Sequence, residues 1–323
     1  MALTKEQIQL HISTWSETLK RGSYAYRTHW PARLFRHEPV ENVVKILKSG
    51  ALLSRNAAGT QMARDIASKQ VIATSVVPHR YARLYFRPLN PTQYHVEGIR
   101  KPHEFYQDDP DTHAPILVMM LFNSASILSL ENVSFSPINM QALNPPIYSK
   151  YTEFQLMDFQ RIYHDGPVQD KSIHQSRCAE ALIPNQLPLS PHLQSIFCRS
   201  PAERQTLLYL SGHEGRAWAS KIHVYEHPGI FQSIWSYVNA VSVNSDGVVV
   251  KCHPRRDGQS VRFDMEIKNL ETGKSTFWFL DNSRLDTDII TETKLSEAPY
   301  LITVKLDNFV GYQAITLLSD LPF

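Results

Sequence analysis

Apolar residues along this 323-residue chain follow a helical rhythm at first and an alternating one later. Near the N-terminus, Ile8, Ile12, Trp15 and Leu19 recur at intervals of four, three and four residues, which places them on one face of a helix. Thr4 and Gln7 precede them at capping-box spacing, and Gly22 stands where a C-cap glycine would. This helix is expected to pack on the core. The pattern then predicts a short strand over 32–36 and a helix over 40–48. Val40, Val43, Val44 and Leu47 form that helix's stripe, and Gly50 ends it. Residues 81–87 alternate as a strand, 116–122 form an apolar core strand, and the polar stretch 95–114 between them reads as a loop. Strands are predicted at 178–184 and 193–198. A helix is predicted over 200–209, because Ser200-Pro201 is followed by Glu203.

After about residue 212 the signal becomes mostly β. Residues 247–252 read as a strand. Val261, Phe263, Met265 and Ile267 alternate with Arg262, Asp264, Glu266 and Lys268, as on a half-buried antiparallel strand. Residues 271–274 supply a hairpin turn, 276–280 the return strand, and Tyr300, Ile302, Val304 and Leu306 alternate again. The expectation is an α+β chain in three parts: a helical segment over 1–29, a mixed domain over 30–212, and a small sandwich-like β domain over 213–323.

Composition narrows the classes. With 42% hydrophobic and 20% charged residues, the chain can bury a real core. Three scattered cysteines make neither a disulfide framework nor a CxxC metal pair, which fits a reducing cytoplasm. The polar N-terminus has no secretory pattern, and 115–122 is too short to span a bilayer, so no membrane role is expected. The net charge of +2 is unevenly placed. The first 100 residues carry 15 Lys and Arg against 6 Asp and Glu, leaving the remainder net negative. A basic N-terminal third suits a polyanionic partner.

The compact nucleotide and hydrolase motifs are missing: there is no GxGxxG, P-loop, HExxH or GxSxG. The fourteen histidines lack metal-ligand spacing, so no metal is expected. The chemistry lies instead in four ordered blocks: RLFRHEPVENVVKILKSGALLSRN, YARLYFRPLNPTQYHVEGIR, FQRIYHDGP with SRCAEALIP, and IFCRSPAERQTLL. Together they resemble the DarT-type ADP-ribosyltransferases over about residues 30–212, more than half of the chain.

The resemblance implies a split, mixed β core that clamps NAD as co-substrate. It also implies a carboxylate near the bond between nicotinamide and ribose, where positive charge develops as that bond breaks. Glu180, in Arg177-Cys178-Ala179-Glu180, matches the family's catalytic glutamate. Arg36 stands where many relatives carry an NAD-anchoring histidine. It is preferred over His37, which strand alternation should turn to the opposite face. Asn42 matches a recurrent asparagine, and Tyr85 is placed to stack on nicotinamide or a base. The counterpart of the arginine that activates the target base in relatives is expected among Arg55, Arg64 and Lys69. Arg64 is grouped with Glu180 as catalytic and Arg55 with the nucleic-acid contacts, but the choice stays open. Arg83, Arg87 and Arg100 are candidate phosphate contacts, and Tyr94 and Gln93 candidate groove residues. Leu89 replaces an arginine frequent in relatives.

The implied target is single-stranded nucleic acid, because ring-atom chemistry cannot reach into a stacked duplex. DNA is favoured and RNA is the alternative. The resemblance further implies a toxin, in a toxin–antitoxin or phage-defence system, partnered by a cognate antitoxin. The rival from another class is an inactive NAD- or nucleic-acid-binding module on the same fold.

Overall fold

The computed structural model describes residues 3–59, 62–67, 69–74, 76–168 and 170–318. Helix α1 (Lys5–Lys20) begins at the predicted capping box: the Gln7 amide donates to Thr4 Oγ1 (3.3 Å), and Gln7 Oε1 accepts from the Thr4 amide (2.9 Å). Its C-cap is Arg21 in the right-handed region, one residue before the glycine expected there. Ile8 and Leu19 are buried, with Ile12 and Trp15 packed beside them, so the helix belongs to the main core.

Strand β1 (Arg33–Pro39) runs directly into α2 (Val40–Ser49). Gly50 ends α2 at φ 68°, a left-handed conformation that suits glycine. Strand β2 (Ala51–Leu53) follows. Then come β3 (Tyr81–Tyr85), the short helix α3 (Pro91–Val96), β4 (Leu117–Asn123), β5 (Ser134–Ser136), β6 (Glu180–Pro184), β7 (Gln186–Pro188) and β8 (Leu193–Cys198). Helix α4 (Pro201–Arg216) is broken at Gly212, and β9 (Ile222–Val224) closes the first unit.

The main sheet has the order β5-β6-β3-β1-β4-β8-β9. The β8–β9 pair is parallel and the other pairs are antiparallel, so the sheet is mixed. It is also split. Strand β1 pairs with β4 along all seven of its residues, yet meets β3 only at Phe35 opposite Tyr85. Beyond that contact the two halves of the sheet part. The expected α+β class and split mixed core are both present.

Strands β2 and β7 pair antiparallel in a small sheet of their own, and the strands after β9 form two further antiparallel sheets. One contains β10 (Tyr237–Asn244), β11 (Gly247–His253) and β14 (Ile289–Glu292). The other contains β12 (Val261–Asn269), β13 (Ser275–Ser283), β15 (Pro299–Leu306) and β16 (Phe309–Leu317). Val238 and Val250 of the first sheet share a core with Phe263, Ile302 and Val304 of the second, as in a sandwich. The alternation read in β12 and β15 is the inward face: Val261, Phe263, Met265, Ile267, Tyr300, Ile302, Val304 and Leu306 are all buried.

The main sheet continues past residue 212, because β9 joins it and Ile230 and Phe231 pack in its core. Helix α4 contributes Leu207 to the first core and Ala202 to the second. The polar loop 95–114 is exposed at 102–103, 107–108 and 110–111 but buried at both ends, over 96–100 and 112–114. Glu97 accepts from Gln93 Nε2 (2.9 Å) and from the amides of Gln232 (3.0 Å) and Ser233 (2.9 Å). Near this loop, Arg255 is buried against Glu104 and Asp257. Among the described residues, no helix is long and apolar enough to cross a membrane.

Candidate active site

A cleft opens where β1 and β3 part. It has an open volume of about 1140 Å³, and a neighbouring recess of about 720 Å³ lies against α2. Arg36, Glu38, Asn42, Arg55 and Arg83 line both.

Glu180 is the first residue of β6 and sits directly across the ladder from Tyr85. The turn before it is held from behind. Arg177 donates to the Gly166 carbonyl (2.7 Å) and lies 2.6 Å from His164 Nδ1, and the Phe86 amide donates to the Ala179 carbonyl (3.1 Å). The arginine of the Arg-Cys-Ala-Glu stretch is therefore a strut. Glu180 itself is fully buried, and Arg83 Nη1 stands 3.4 Å from each carboxylate oxygen. Burial pushes the Glu180 carboxyl above the ordinary glutamate range, while Arg83 and then Arg36 pull against that shift.

Arg36 and His37 both line the larger cleft. The expectation that alternation turns His37 away from the site is corrected: β1 stays regularly paired with β4, yet both residues line the opening left where β3 parts from it. The His37 ring stacks on Tyr85 (centroids 5.2 Å apart, planes 4° apart), and among the described residues its buried Nδ1 has no hydrogen-bond partner. Burial, reinforced by Arg36 and Arg83, lowers its pKa to about 3, so the ring is neutral. Arg36 donates through Nε to Glu38 Oε1 (2.8 Å) and also bonds it through Nη2. Burial opposes the Arg36 charge, but Glu38 more than restores it.

Asn42 acts on the backbone. Its Nδ2 donates to Glu38 Oε2 (2.9 Å) and to the Arg64 carbonyl (2.8 Å), and its Oδ1 accepts from the amides of Ala63 (3.1 Å) and Arg64 (2.9 Å). Arg55 forks onto Asp65, with Nη2 donating to Oδ1 at 2.9 Å. The segment 62–67, which carries Arg64 into the cleft, is thus pinned twice.

Other expected contacts lie elsewhere. Arg87 is a correction: it is fully buried, stacks over Trp30 (4.6 Å), and donates to the carbonyls of Pro88, His164 and Leu89 while facing Asp165. It holds two backbone segments together and presents no free face to a phosphate. Arg100 is buried over Trp235, and Gln93 is buried against Glu97 and the Ile230 carbonyl. Tyr94 remains exposed, in a trough beside His95, His174 and Arg177 that shares His95 and His174 with the cleft. Lys69 lies on the exposed side of a short helix, outside the residues that line the cleft.

Glu38, His95, His174 and Tyr106 line the cleft although the sequence reading gave them no role. For Glu38 a signal existed: it lies two residues after Arg36 on a strand and four before Asn42, within reach of both. The cleft therefore offers Arg36, Arg55, Arg64 and Arg83 against Glu38 and Asp65, with Glu180 beneath. Among the described residues, no group of three metal-ligating side chains comes together.

The model of the DarT family, described as ssDNA thymidine ADP-ribosyltransferase, matches residues 35–228, more than half of the chain. The chain belongs to the DarT family. Its chemistry is thus NAD-dependent ADP-ribosyl transfer, and the likeness read from four sequence blocks is borne out. None of the curated proteins matches it in sequence. Among solved structures, this DarT-family chain is similar to DarT of Thermus sp. 2.9 in complex with ADP-ribosylated ssDNA. That match has a TM-score of 0.47 and 15% identity, over 62% of this chain and 93% of that one. It is also similar to the same protein in complex with NAD+, with a TM-score of 0.46 and 15% identity, over 61% of this chain and 96% of that one. Thermosipho africanus DarTG in complex with ADP-ribose gives a TM-score of 0.44 and 16% identity, over 61% of this chain and 50% of that one.

Proposed function

We propose that this chain transfers ADP-ribose from NAD to a base of single-stranded DNA, with Glu180 as the carboxylate that acts on the substrate ribose. The observation that carries the reading is a buried glutamate at the head of β6, directly beneath a cleft lined by four arginines. The cleft suits a dinucleotide. Its arginines match a pyrophosphate, the neutral His37 has a nitrogen unpartnered among the described residues, and Tyr85 offers an aromatic edge beside Glu180.

NAD supplies the ADP-ribosyl group and nicotinamide as leaving group. Glu180 accepts a hydrogen bond from a ribose hydroxyl and opposes the positive charge that grows on the sugar as that bond breaks. Arg36 and Asn42 hold the near wall through Glu38, and Arg64 on the pinned segment faces the acceptor side. The strand enters past Tyr94, His95 and His174, where aromatic faces suit unstacked bases. Thymidine is the first base to test, because the family description names it. A bulky adduct on a template base blocks copying, so the proposed biological role is that of a toxin restrained by a cognate antitoxin.

Labelled NAD is incubated with matched single-stranded DNA and RNA, using the wild type and Glu180→Ala. The reading expects label on DNA with the wild type and none with the variant. Transfer to RNA alone would move the target. Equal transfer by the variant would remove Glu180 from the chemistry.

A further inference from the structure

We propose that Arg83 is a displaceable cover on the Glu180 carboxylate, seated on it in the free chain and transferred to the dinucleotide's pyrophosphate when substrate enters the cleft. The proposal rests on the reading of Glu180 as the carboxylate that contacts the ribose.

The register sets the geometry. Tyr85 is directly across from Glu180, and Arg83 is across from Leu182, so Arg83 reaches the carboxylate along the diagonal of the β3–β6 ladder. Arg83 lines the cleft, while Glu180 beside it has no exposed surface. A ribose hydroxyl cannot contact a carboxylate covered in this way, so the cover must move before the chemistry.

The contact is built to be exchanged. One nitrogen serves both oxygens at 3.4 Å, longer than the roughly 2.7–2.9 Å of a committed charge-assisted bond. Arg36 and Arg55 are held differently, each forked onto its own carboxylate, Glu38 and Asp65. Among the described residues, Glu180 is the carboxylate paired with Arg83, whose side chain is 17% exposed and lines both the cleft and the recess. An entering pyrophosphate offers this loosely paired cation a stronger anion. Once Arg83 has moved, Glu180 faces the ribose with a higher effective charge demand, which the growing positive charge on the sugar satisfies.

The groups around Glu180 fix the expected pH behaviour. Arg83 and Tyr85 face it from β3, Arg36 from β1 and Cys178 from the preceding turn, while β5 brings the non-titrating Ser136. His37 lies behind Tyr85 and is neutral. Arg83 is the strongest of the groups that keep the carboxylate ionised against burial. Its loss should therefore show in the free enzyme and not in the complex.

NAD turnover is measured across the acid limb for the wild type, Arg83→Ala and Arg83→Lys. The limb of kcat/KM reports the free enzyme, and that of kcat reports the complex. Arg83→Ala is expected to move the kcat/KM limb up by about 1 pH unit or more, to leave the kcat limb in place and to raise KM for NAD; Arg83→Lys restores the kcat/KM limb. Equal movement of both limbs would make Arg83 a fixed counter-ion, and movement of neither would make it packing; either overturns the proposal. Should Arg83→Ala not turn over, calorimetry of a non-hydrolysable NAD analogue in buffers of different ionisation enthalpy reads the same event in the wild type. Proton uptake on binding that Glu180→Gln removes supports the transfer, and no uptake overturns it. If Glu180→Ala keeps full activity, the reading of Glu180 fails first; if Glu180→Ala is inactive and the limbs do not separate, only the Arg83 proposal fails.

Discussion

Glu180 is placed at a cost to the fold. Burial holds its folded pKa above the unfolded value, so ionising it works against the folded state. The penalty is absent below the ordinary glutamate range and fully present above the folded value. Glu180→Gln removes it while keeping the shape. The variant is expected to abolish transfer yet melt at a higher temperature than the wild type at neutral pH, with the two curves converging as pH falls below about 4. Thermal scans across pH check this, and a lower melting temperature for Glu180→Gln at neutral pH would contradict it. Arg87 teaches the opposite lesson at the same scale. An arginine after an aromatic strand reads as a phosphate contact, but its neighbours in space are Trp30, His164 and Asp165, far from it in sequence.

Among elements, the strand β1, the helix α2 and the segment 62–67 act as one unit because Asn42 joins them. Asn42→Ala removes the partners of the Ala63 and Arg64 amides and of the Arg64 carbonyl. It is expected to destabilise the chain by roughly 1–3 kcal/mol and to raise KM for NAD. Hydrogen exchange at Ala63 and Arg64 should lose protection; unchanged protection would show that the segment is held by other means. Periodicity made most of these elements legible. It located α2, β8 and the inward faces of β12 and β15, because each records its own burial in consecutive residues. It could not show the split between β1 and β3. Strand order arises from pairings between distant segments, and Arg83 meets Glu180 across 97 residues of sequence. His37 lines the cleft beside Arg36 although β1 is regularly paired with β4, because the opening left by β3 is a feature of strand order that alternation does not record.

On the scale of the whole molecule, α4 and the 95–114 loop weld the cleft-bearing unit to the sandwich. The Thr206 hydroxyl accepts from the Gln313 amide (3.0 Å), and the Ser200 hydroxyl donates to the Val238 carbonyl (2.7 Å). Three buried histidines make the assembly acid-sensitive. Burial lowers His11 and His37 to about 3 and His113 to about 4, from an ordinary value of 6.5. Between those values the unfolded chain binds protons that the folded chain does not, so stability falls as pH drops below about 6.5. The melting temperature should decline through that window before most carboxylates titrate, and a flat profile down to about pH 4.5 would contradict it. The basic N-terminal third proved informative about place as well as charge, since Arg36, Arg55, Arg64 and Arg83 all line the cleft.

The central claim is Glu180-dependent transfer of ADP-ribose from NAD to a base of single-stranded DNA. Mass spectrometry of nucleosides, digested from single-stranded DNA after treatment with the chain and NAD, tests it most directly. The expected result is one nucleoside carrying the mass of an ADP-ribosyl group, absent with Glu180→Ala and absent without NAD. Unmodified nucleosides from a folded, NAD-binding chain, or the same adduct from Glu180→Ala, would contradict the account.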